Sequence, residues 1–76
     1  MARIYILANV LPGKDKTVRD VLRGTKGVVS ADVVTGQFDL IVVVEAKDTN
    51  DIFNKVLKDI RKIKGLTRTE TFVTVE

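Results

Sequence analysis

Apolar and polar residues follow two different periods along this chain. Four segments (residues 2–10, 28–35, 38–46 and 67–75) are rich in Val, Ile and Thr, and those with clear alternation repeat every two residues. That period predicts β-strands. Two further segments repeat apolar residues at helical spacing, so they predict amphipathic helices. The predicted order is therefore βαββαβ.

The two helices have recognisable limits. The first covers residues 15–24 and places Val18, Val21 and Leu22 on one stripe. The second follows Asp48, which is expected to cap it, and stops at Gly65. The apolar stripe of the second helix consists of Ile52, Phe53, Val56, Leu57, Ile60 and Ile63.

The order βαββαβ predicts an α+β fold of the ferredoxin-like type. Right-handed crossovers would place both helices on one face of a four-stranded antiparallel sheet. Gly36-Gln37 is a hairpin signal between the second and third strands. The segments Lys26-Gly27-Val28 and Lys64-Gly65-Leu66 each close a helix and open a strand, 38 residues apart. The two halves of the chain therefore share the same βαβ order of elements.

The sheet face without helices is predicted to be apolar. In the first strand Tyr5 and Leu7 have the opposite parity to Ile4 and Ile6, and the third strand carries large aliphatic residues on both parities. An open antiparallel sheet is normally polar on its exposed face. An apolar patch of this kind marks a protein interface, so a sheet-to-sheet dimer is expected. The pattern leaves the faces of the fourth strand unassigned.

The length and composition of the chain exclude several classes of function. The chain has 76 residues, enough for one domain with a marginal core, so a partner subunit would supplement it. It has no Cys and no His, which excludes disulfides, zinc sites built from these ligands, and Ser-His or Cys-His catalysis. No catalytic residue, metal or cofactor is assigned. Because the apolar runs are short and no signal peptide is evident, we expect a cytoplasmic protein without a membrane span.

Charge and aromatic content argue against nucleic-acid recognition. The net charge is +3, and the basic residues between Lys55 and Lys64 are interpreted first as a solvated helix face and second as a polyanion-binding strip. A ferredoxin-like RNA-binding sheet uses aromatic residues in its third strand. Here that strand is aliphatic and acidic apart from Phe38 at its start.

The turn at residues 34–39 has two interpretations. In the structural one, Gly36 takes a positive φ angle and Asp39 caps nearby amides. In the functional one, Asp39 holds an ammonium group while amides around Gly36 and threonine hydroxyls hold a carboxylate. The hydroxyls would come from Thr67, Thr69 and Thr71, which share one parity in the fourth strand. The residues of the turn do not decide between the two.

Three segments resemble the effector-binding (RAM) domain of the Lrp/AsnC transcriptional regulators. They are ILANVLPGK at 6–14, VVTGQFDLIVVVEAKD at 33–48 and KIKGLTRTETFV at 62–73. The Thr-Gly-x-aromatic-Asp turn followed by an apolar strand is the most specific part, and the resemblance covers essentially the whole chain. It implies the βαββαβ fold, dimers through the open sheet faces, assembly of dimers into larger oligomers, and amino acids bound between dimers.

The resemblance also implies a set of site residues and a partner. Carried over by position, the effector contacts are Thr35, Gly36, Phe38, Asp39, Thr69 and Thr71. Phe38 stands where the family often has Tyr, so a contact through that hydroxyl is lost. The family's helix-turn-helix domain is not recognisable in residues 1–76. We therefore expect a stand-alone domain that binds a free amino acid and modulates full-length relatives in mixed oligomers, without specific DNA binding of its own.

Two alternatives remain open. The first is an assembly partner without a physiological ligand, acting through the sheet face. The second is a small enzyme of the dimeric α+β barrel kind, which would need a cavity between paired sheets with a functional group pointing into it.

Overall fold

The computed structural model describes residues 1–75 and has the predicted order of elements. Strands β1 (Ala2–Val10) and β3 (Leu40–Ala46) are central, and strands β2 (Val28–Val33) and β4 (Leu66–Val73) form the edges. All three strand pairs are antiparallel, in the order β2-β3-β1-β4. Helix α1 (Asp15–Arg23) connects β1 to β2. The ferredoxin-like prediction is therefore confirmed.

The second helix consists of three consecutive segments. It starts as a helical turn at Thr49–Asp51, widens to π-helical hydrogen bonding at Ile52–Val56, and ends as an α-helix at Leu57–Arg61. Residues 49–61 are called α2 below. The Asp48 carboxylate accepts a hydrogen bond of 2.8 Å from the Asp51 amide, which confirms the predicted cap.

The core lies between the sheet and the two helices. Its buried residues come from alternate positions of the central strands, from one position of β2, and from one stripe of each helix. They are Ile4, Ile6, Ala8, Val18, Leu22, Ala31, Leu40, Val42, Val44, Ile52, Val56, Leu57 and Ile60.

Two residues of the predicted helical stripes do not belong to the core. Val21 of α1 is 48% exposed and Phe53 of α2 is 42% exposed. Phe53 lies within the π-helical segment, whose wider turn shifts side chains away from α-helical periodicity. The buried residues of α1 are Val18 and Leu22, and Val21 lies at the edge of that stripe, toward solvent.

The two related halves of the chain pack reciprocally through their glycines. Gly27 has a φ angle of +95°, and a Cβ placed there would come 2.7 Å from Val56 Cγ2 of the other half. Gly65 has a φ angle of +103°, and its Cβ would come 2.9 Å from Val18 Cγ2. Gly65 and Val56 each follow their counterparts, Gly27 and Val18, by 38 positions. The repeated Lys-Gly segment therefore reflects a shared need for close backbone approach beneath a helix.

The sheet face opposite the helices carries the predicted apolar cluster. Tyr5 and Ile41 are each 37% exposed, and Leu7 and Val43 are half-buried. The register places Phe72 of β4 beside Tyr5, so it joins this face at 50% exposure. We call Tyr5, Leu7, Ile41, Val43 and Phe72 the open-face cluster. Dimerisation through this cluster stays a prediction.

None of the helices within residues 1–75 is long and apolar enough to cross a lipid bilayer.

Candidate functional site

The predicted turn is a six-residue loop, longer than the two-residue hairpin expected from Gly36-Gln37. Strand β2 ends at Val33 and β3 begins at Leu40, so residues 34–39 lie outside both strands. The Val34 amide donates to the Asp39 carbonyl at 2.9 Å and closes the loop. Within it Gly36 has a φ angle of +128°, which confirms the expected positive value.

Asp39 fixes this loop to the end of β1 in two ways. Its backbone amide donates to the Ala8 carbonyl at 2.9 Å, and its carboxylate Oδ2 accepts from the Val10 amide, also at 2.9 Å. Val10 is at the position where β1 and β4 change register, so the carboxylate provides an acceptor at an irregular point of the sheet. The expected capping role of Asp39 is therefore present.

Asp39 also borders a cavity of about 230 Å³ at the end of β1. The half-buried carboxylate uses Oδ2 for the Val10 amide, and among residues 1–75 no protein donor bonds Oδ1. Asp15 shares the cavity, and its Oδ1 accepts from the Lys16 amide at 2.8 Å. An ammonium group entering the cavity would meet an anion that the fold already holds in place. The cavity is also lined by Val10, Leu11, Pro12 and Gly13.

The threonines of β4 do not form one uninterrupted row. Arg68 pairs with Asn9 and Leu66 pairs with Val10, so Thr67 is an extra residue at a β-bulge. Beyond the bulge Thr69 is paired with Ala8 and Thr71 with Ile6. Thr69 and Thr71 therefore have the parity of the helix-covered face and are exposed because β4 is an edge strand.

The register brings Thr69 closer to the loop than Thr71. Ala8 lies between Thr69 on one side and Leu40 on the other, so Thr69 is about two strand spacings, or 10 Å, from the residue after Asp39. Thr71 lies two residues further along β4, about 7 Å farther from the loop end. Thr35 and Gly36 are exposed at the loop tip.

Two arginines lie at this end of the molecule: Arg61, which belongs to the basic run between Lys55 and Lys64, and Arg68, which was not predicted to take part in a site. The Arg68 Cζ atom lies 5.6 Å from the centroid of the Phe38 ring, a cation–π contact that joins β4 to the loop. Arg68 and Arg61 border a second cavity together with Leu66, Thr67 and Thr69. The contact between Arg68 and Phe38 joins residues 30 positions apart, so no local sequence pattern contains it.

A third cavity, of about 420 Å³, lies at the opposite end of the sheet. It contains an ion pair between Arg3 and Glu45, with Arg3 Nε 2.6 Å from Glu45 Oε2. The neighbouring Tyr5 hydroxyl and Glu45 carboxylate raise the pKa of the Arg3 guanidinium. None of the predicted site residues borders this cavity.

Comparison with known families agrees with this geometry. The Lrp/AsnC ligand binding domain matches residues 3–76, which is nearly the whole chain. The chain belongs to the Lrp/AsnC family. The predicted resemblance of the chain to the Lrp/AsnC domain is thereby confirmed, and the family accounts for the ferredoxin-like architecture.

Solved structures of similar size share the fold over the full length. A hypothetical protein from Pyrococcus horikoshii is 32% identical with a TM-score of 0.92, and the match covers all of this chain and 92% of that one. FFRP-DM1 is also 32% identical, with a TM-score of 0.91, over 99% of this chain and all of that one. A transcriptional regulator from Neisseria meningitidis, solved as a complex with L-methionine, is 18% identical with a TM-score of 0.80. This Lrp/AsnC domain covers 50% of that regulator.

Curated sequence relatives place a similar domain in a different setting. A homocitrate synthase from Sulfurisphaera tokodaii is 36% identical over 56 residues, and one from Saccharolobus islandicus is 34% identical over 56 residues. The matched segment is 74% of this chain but 11% of either enzyme, so the chain spans about a tenth of the length of these relatives.

Proposed function

We propose that this Lrp/AsnC domain is a non-enzymatic regulatory domain that binds a free amino acid at the loop 34–39. The observation that carries the proposal is the Asp39 carboxylate. It borders a cavity, one oxygen is held by the Val10 amide, and the other has no donor among residues 1–75. Family membership and a regulator of the same fold that was solved with L-methionine support the ligand class.

The proposed contacts place the two charges of an amino acid on different groups of loop 34–39. Asp39 receives the ammonium group, while the exposed amides of the loop around Thr35 and Gly36 receive the carboxylate. Phe38 provides an apolar surface, and Thr69 and Thr71 add hydroxyl donors. Because Thr71 is farther from Asp39 within one chain, its contribution requires a neighbouring copy that presents β4 to this loop.

Titration calorimetry with the twenty amino acids on the wild-type chain and on Asp39→Asn tests the site. Asparagine keeps an acceptor for the Val10 amide but removes the charge. We expect ligand affinity to fall by about 1.5–3 kcal/mol, the range for a hydrogen bond to a charged group. The unfolding free energy should fall by about 1 kcal/mol, the difference between a charged and a neutral acceptor.

The purely structural interpretation of Asp39 predicts a different result. Thermal stability would fall while the affinity for any amino acid stays the same. If none of the twenty amino acids binds the wild-type chain, the ligand proposal is wrong and the alternative of a ligand-free assembly partner replaces it.

We further propose that the bound amino acid acts by changing how this domain assembles with its own copies and with full-length Lrp/AsnC regulators. The open-face cluster would supply the contact surface. Co-purification of differently tagged copies, with and without an amino acid, checks the mixed assembly. A tagged copy that never retains an untagged copy or a regulator under either condition contradicts it.

Specific DNA binding by these residues is not part of the proposal. A recognition helix needs an exposed face of base-reading side chains that fits the major groove. The exposed face of α2 instead carries Lys58, Asp59 and Arg61, with Lys55 held 3.7 Å from Asp51. Mobility-shift assays should show weak binding that disappears as salt rises toward about 150 mM. A sequence-specific shift that persists at that salt concentration contradicts this expectation.

A second candidate function follows from the homocitrate synthase relatives. Because the matched segment is a small part of those enzymes, we propose as a second role that this domain acts as a regulatory unit of an enzyme. An amino acid that binds this chain and changes the activity of a co-purifying enzyme, with no effect on DNA binding by a regulator, would favour this second role.

A further inference from the structure

The outer edge of β4 carries main-chain groups that are free to pair. Strand β4 is at the edge of the sheet, and its residues after Leu66 are exposed. The Thr74 amide donates to the Arg3 carbonyl at 3.3 Å, so these two residues form a hydrogen-bonded pair. Alternate residues of β4 then direct their main chain toward β1, while Thr69 and Thr71 direct theirs outward. Among residues 1–75 no strand or side chain bonds these outward groups.

The opposite edge of the sheet, β2, is protected. Its pairing with β3 is irregular between Val28 and Ser30. The Arg23 Nε atom donates to the Ala31 carbonyl at 2.9 Å, so a side chain occupies an acceptor of this strand. Bulges and charged side chains are common protections of edge strands. In β4 the bulge is at the start, at Thr67, and residues 68–73 pair regularly with β1. The fold therefore blocks one edge and leaves the other available.

The sequence of β4 is complementary to itself when two copies run antiparallel. If Thr69 lies opposite Thr69 of a second copy, Arg68 of each copy lies opposite Glu70 of the other. Both charged residues are on the open face, because their β1 neighbours are Asn9 and Leu7. Opposite charges directly across two strands are stabilising, and like charges are destabilising. This register therefore forms the same favourable charge pair twice.

We propose that β4 pairs with β4 of a second copy, antiparallel and centred on Thr69. The Thr69 amide of each copy donates to the Thr69 carbonyl of the other, and the two four-stranded sheets become one continuous sheet. The charges select this register. A shift that centres the pairing on residue 68 places Arg68 opposite Arg68, and a shift to residue 70 places Glu70 opposite Glu70.

This pairing uses a surface different from the open-face cluster and does not depend on an amino-acid ligand. The two-fold axis is perpendicular to the sheet, so both open faces stay on one side and remain available for a sheet-to-sheet contact. One strand edge buries less area than the roughly 800 Å² per partner of a standard interface. We therefore expect the β4 pairing to be the weaker contact and to form at higher protein concentration.

Amide hydrogen exchange followed by NMR tests the pairing at low and at millimolar protein concentration. The Thr69 amide should exchange at least about tenfold more slowly at the high concentration, because the second copy then accepts its hydrogen bond. The Glu70 amide is the internal control, since it is directed toward Leu7 of β1 and should be protected at both concentrations. A contact through the open face would not bond the Thr69 amide. Equally fast exchange of this amide at both concentrations overturns the inference.

Charge reversal tests the register. Glu70→Arg alone and Arg68→Glu alone place like charges across the two strands, so each should lose the concentration-dependent protection of Thr69. An equimolar mixture of the two variants should regain it, because every charge then faces its opposite. Asp59→Arg is the control, since Asp59 is exposed on α2 and its reversal changes the net charge equally. It should behave as the wild type does. Melting curves check that each protein is folded.

The remaining outcomes each contradict the proposal. Glu70→Arg that keeps the protection shows that the charges do not meet across the strands, and so does a mixture that fails to regain it. Loss of protection in Asp59→Arg shows a general effect of net charge. Sedimentation velocity separates this inference from the predicted open-face dimer. If the wild type sediments as a dimer while the Thr69 amide exchanges fast at every concentration, the open-face prediction stands and the β4 pairing is wrong.

Discussion

At the scale of single residues, Asp39 combines a structural hydrogen bond with a proposed binding role. The two roles are compatible because they use different oxygens. Oδ2 accepts the Val10 amide, which the change of register between β1 and β4 leaves in need of an acceptor. The fold therefore fixes the orientation of the carboxylate before any ligand arrives, and less conformational entropy is lost on binding.

The two threonines of β4 should contribute unequally to binding. Thr69 pairs with Ala8, which also pairs with Leu40, whereas Thr71 lies two residues further along β4 from loop 34–39. We expect Thr69→Val to reduce amino-acid affinity by about 0.5–1.5 kcal/mol, the range for a neutral hydrogen bond. Thr71→Val should have a smaller effect. Calorimetric titration of both variants decides, and a larger loss in Thr71→Val would contradict this ranking of the site residues.

The sequence predicted the part of the site that depends only on residues close together in the chain. A glycine between two β-rich segments predicts a positive φ angle, and Gly36 has one. The Asp39–Val10 hydrogen bond spans 29 positions and depends on a bulge, so no local pattern contains it. The contact of Arg68 with Phe38 was not predicted, because Arg68 looks like an ordinary surface charge until the pairing of β1 with β4 sets its position.

At the scale of elements, the repeated Lys-Gly segment has a structural reason. Gly27 and Gly65 end the two helical halves of the chain, and each packs against a valine of the other half. The echo at 38 residues was visible in the sequence. Its cause was not visible, because the packing between Gly27 and Val56 requires both helices to lie on the same face of the sheet.

Gly27→Ala should destabilise the domain more than Gly13→Ala. Both glycines have positive φ angles, so alanine strains the backbone at either position. Only at Gly27 would the new methyl group also come within 2.7 Å of Val56 Cγ2; at Gly13 nothing lies within 4 Å. We expect an additional loss of about 1–3 kcal/mol for Gly27→Ala, the usual cost of overpacking. Denaturant unfolding of both variants checks this. Equal losses would show that backbone strain alone is responsible.

The order and type of the elements were predictable, and their fine structure was not. Period-two and helical patterns identify strands and helices because burial on one face imposes them. The π-helical turn at Ile52–Val56 changes which side chains face the core, and it explains why Phe53 is exposed although it fits the stripe. The backbone of Asp39 bonds both Val34 across the loop and Ala8 of β1, so the chain reverses within residues 35–38, outside both strands.

At the scale of the whole molecule, the sheet face opposite the helices is the surface predicted to form a dimer. Tyr5, Ile41 and Phe72 lie together on the open face, with Leu7 and Val43 half-buried between them. The only charged pair of the central strands on that face is Arg3–Glu45, at its far end. On the edge strands the register places Asp32 beside Ile41 and Glu70 beside Leu7. The two central strands are therefore apolar in the middle of the face, and a partner that covers this middle would gain hydrophobic burial.

Val43→Asp should abolish dimerisation while Val21→Asp should not. Val43 lies at the centre of the open-face cluster between Tyr5 and Ser30, whereas Val21 is an exposed apolar residue on α1. A dimer interface of about 800 Å² per partner would bury the new carboxylate at position 43 without a counter-ion. Sedimentation velocity at several protein concentrations measures the mass of each variant. Melting temperatures over the same range should rise with concentration for wild type and Val21→Asp, because association stabilises the folded state. The interface is misassigned if the wild-type chain sediments as a stable monomer, or if Val43→Asp sediments as the same dimer.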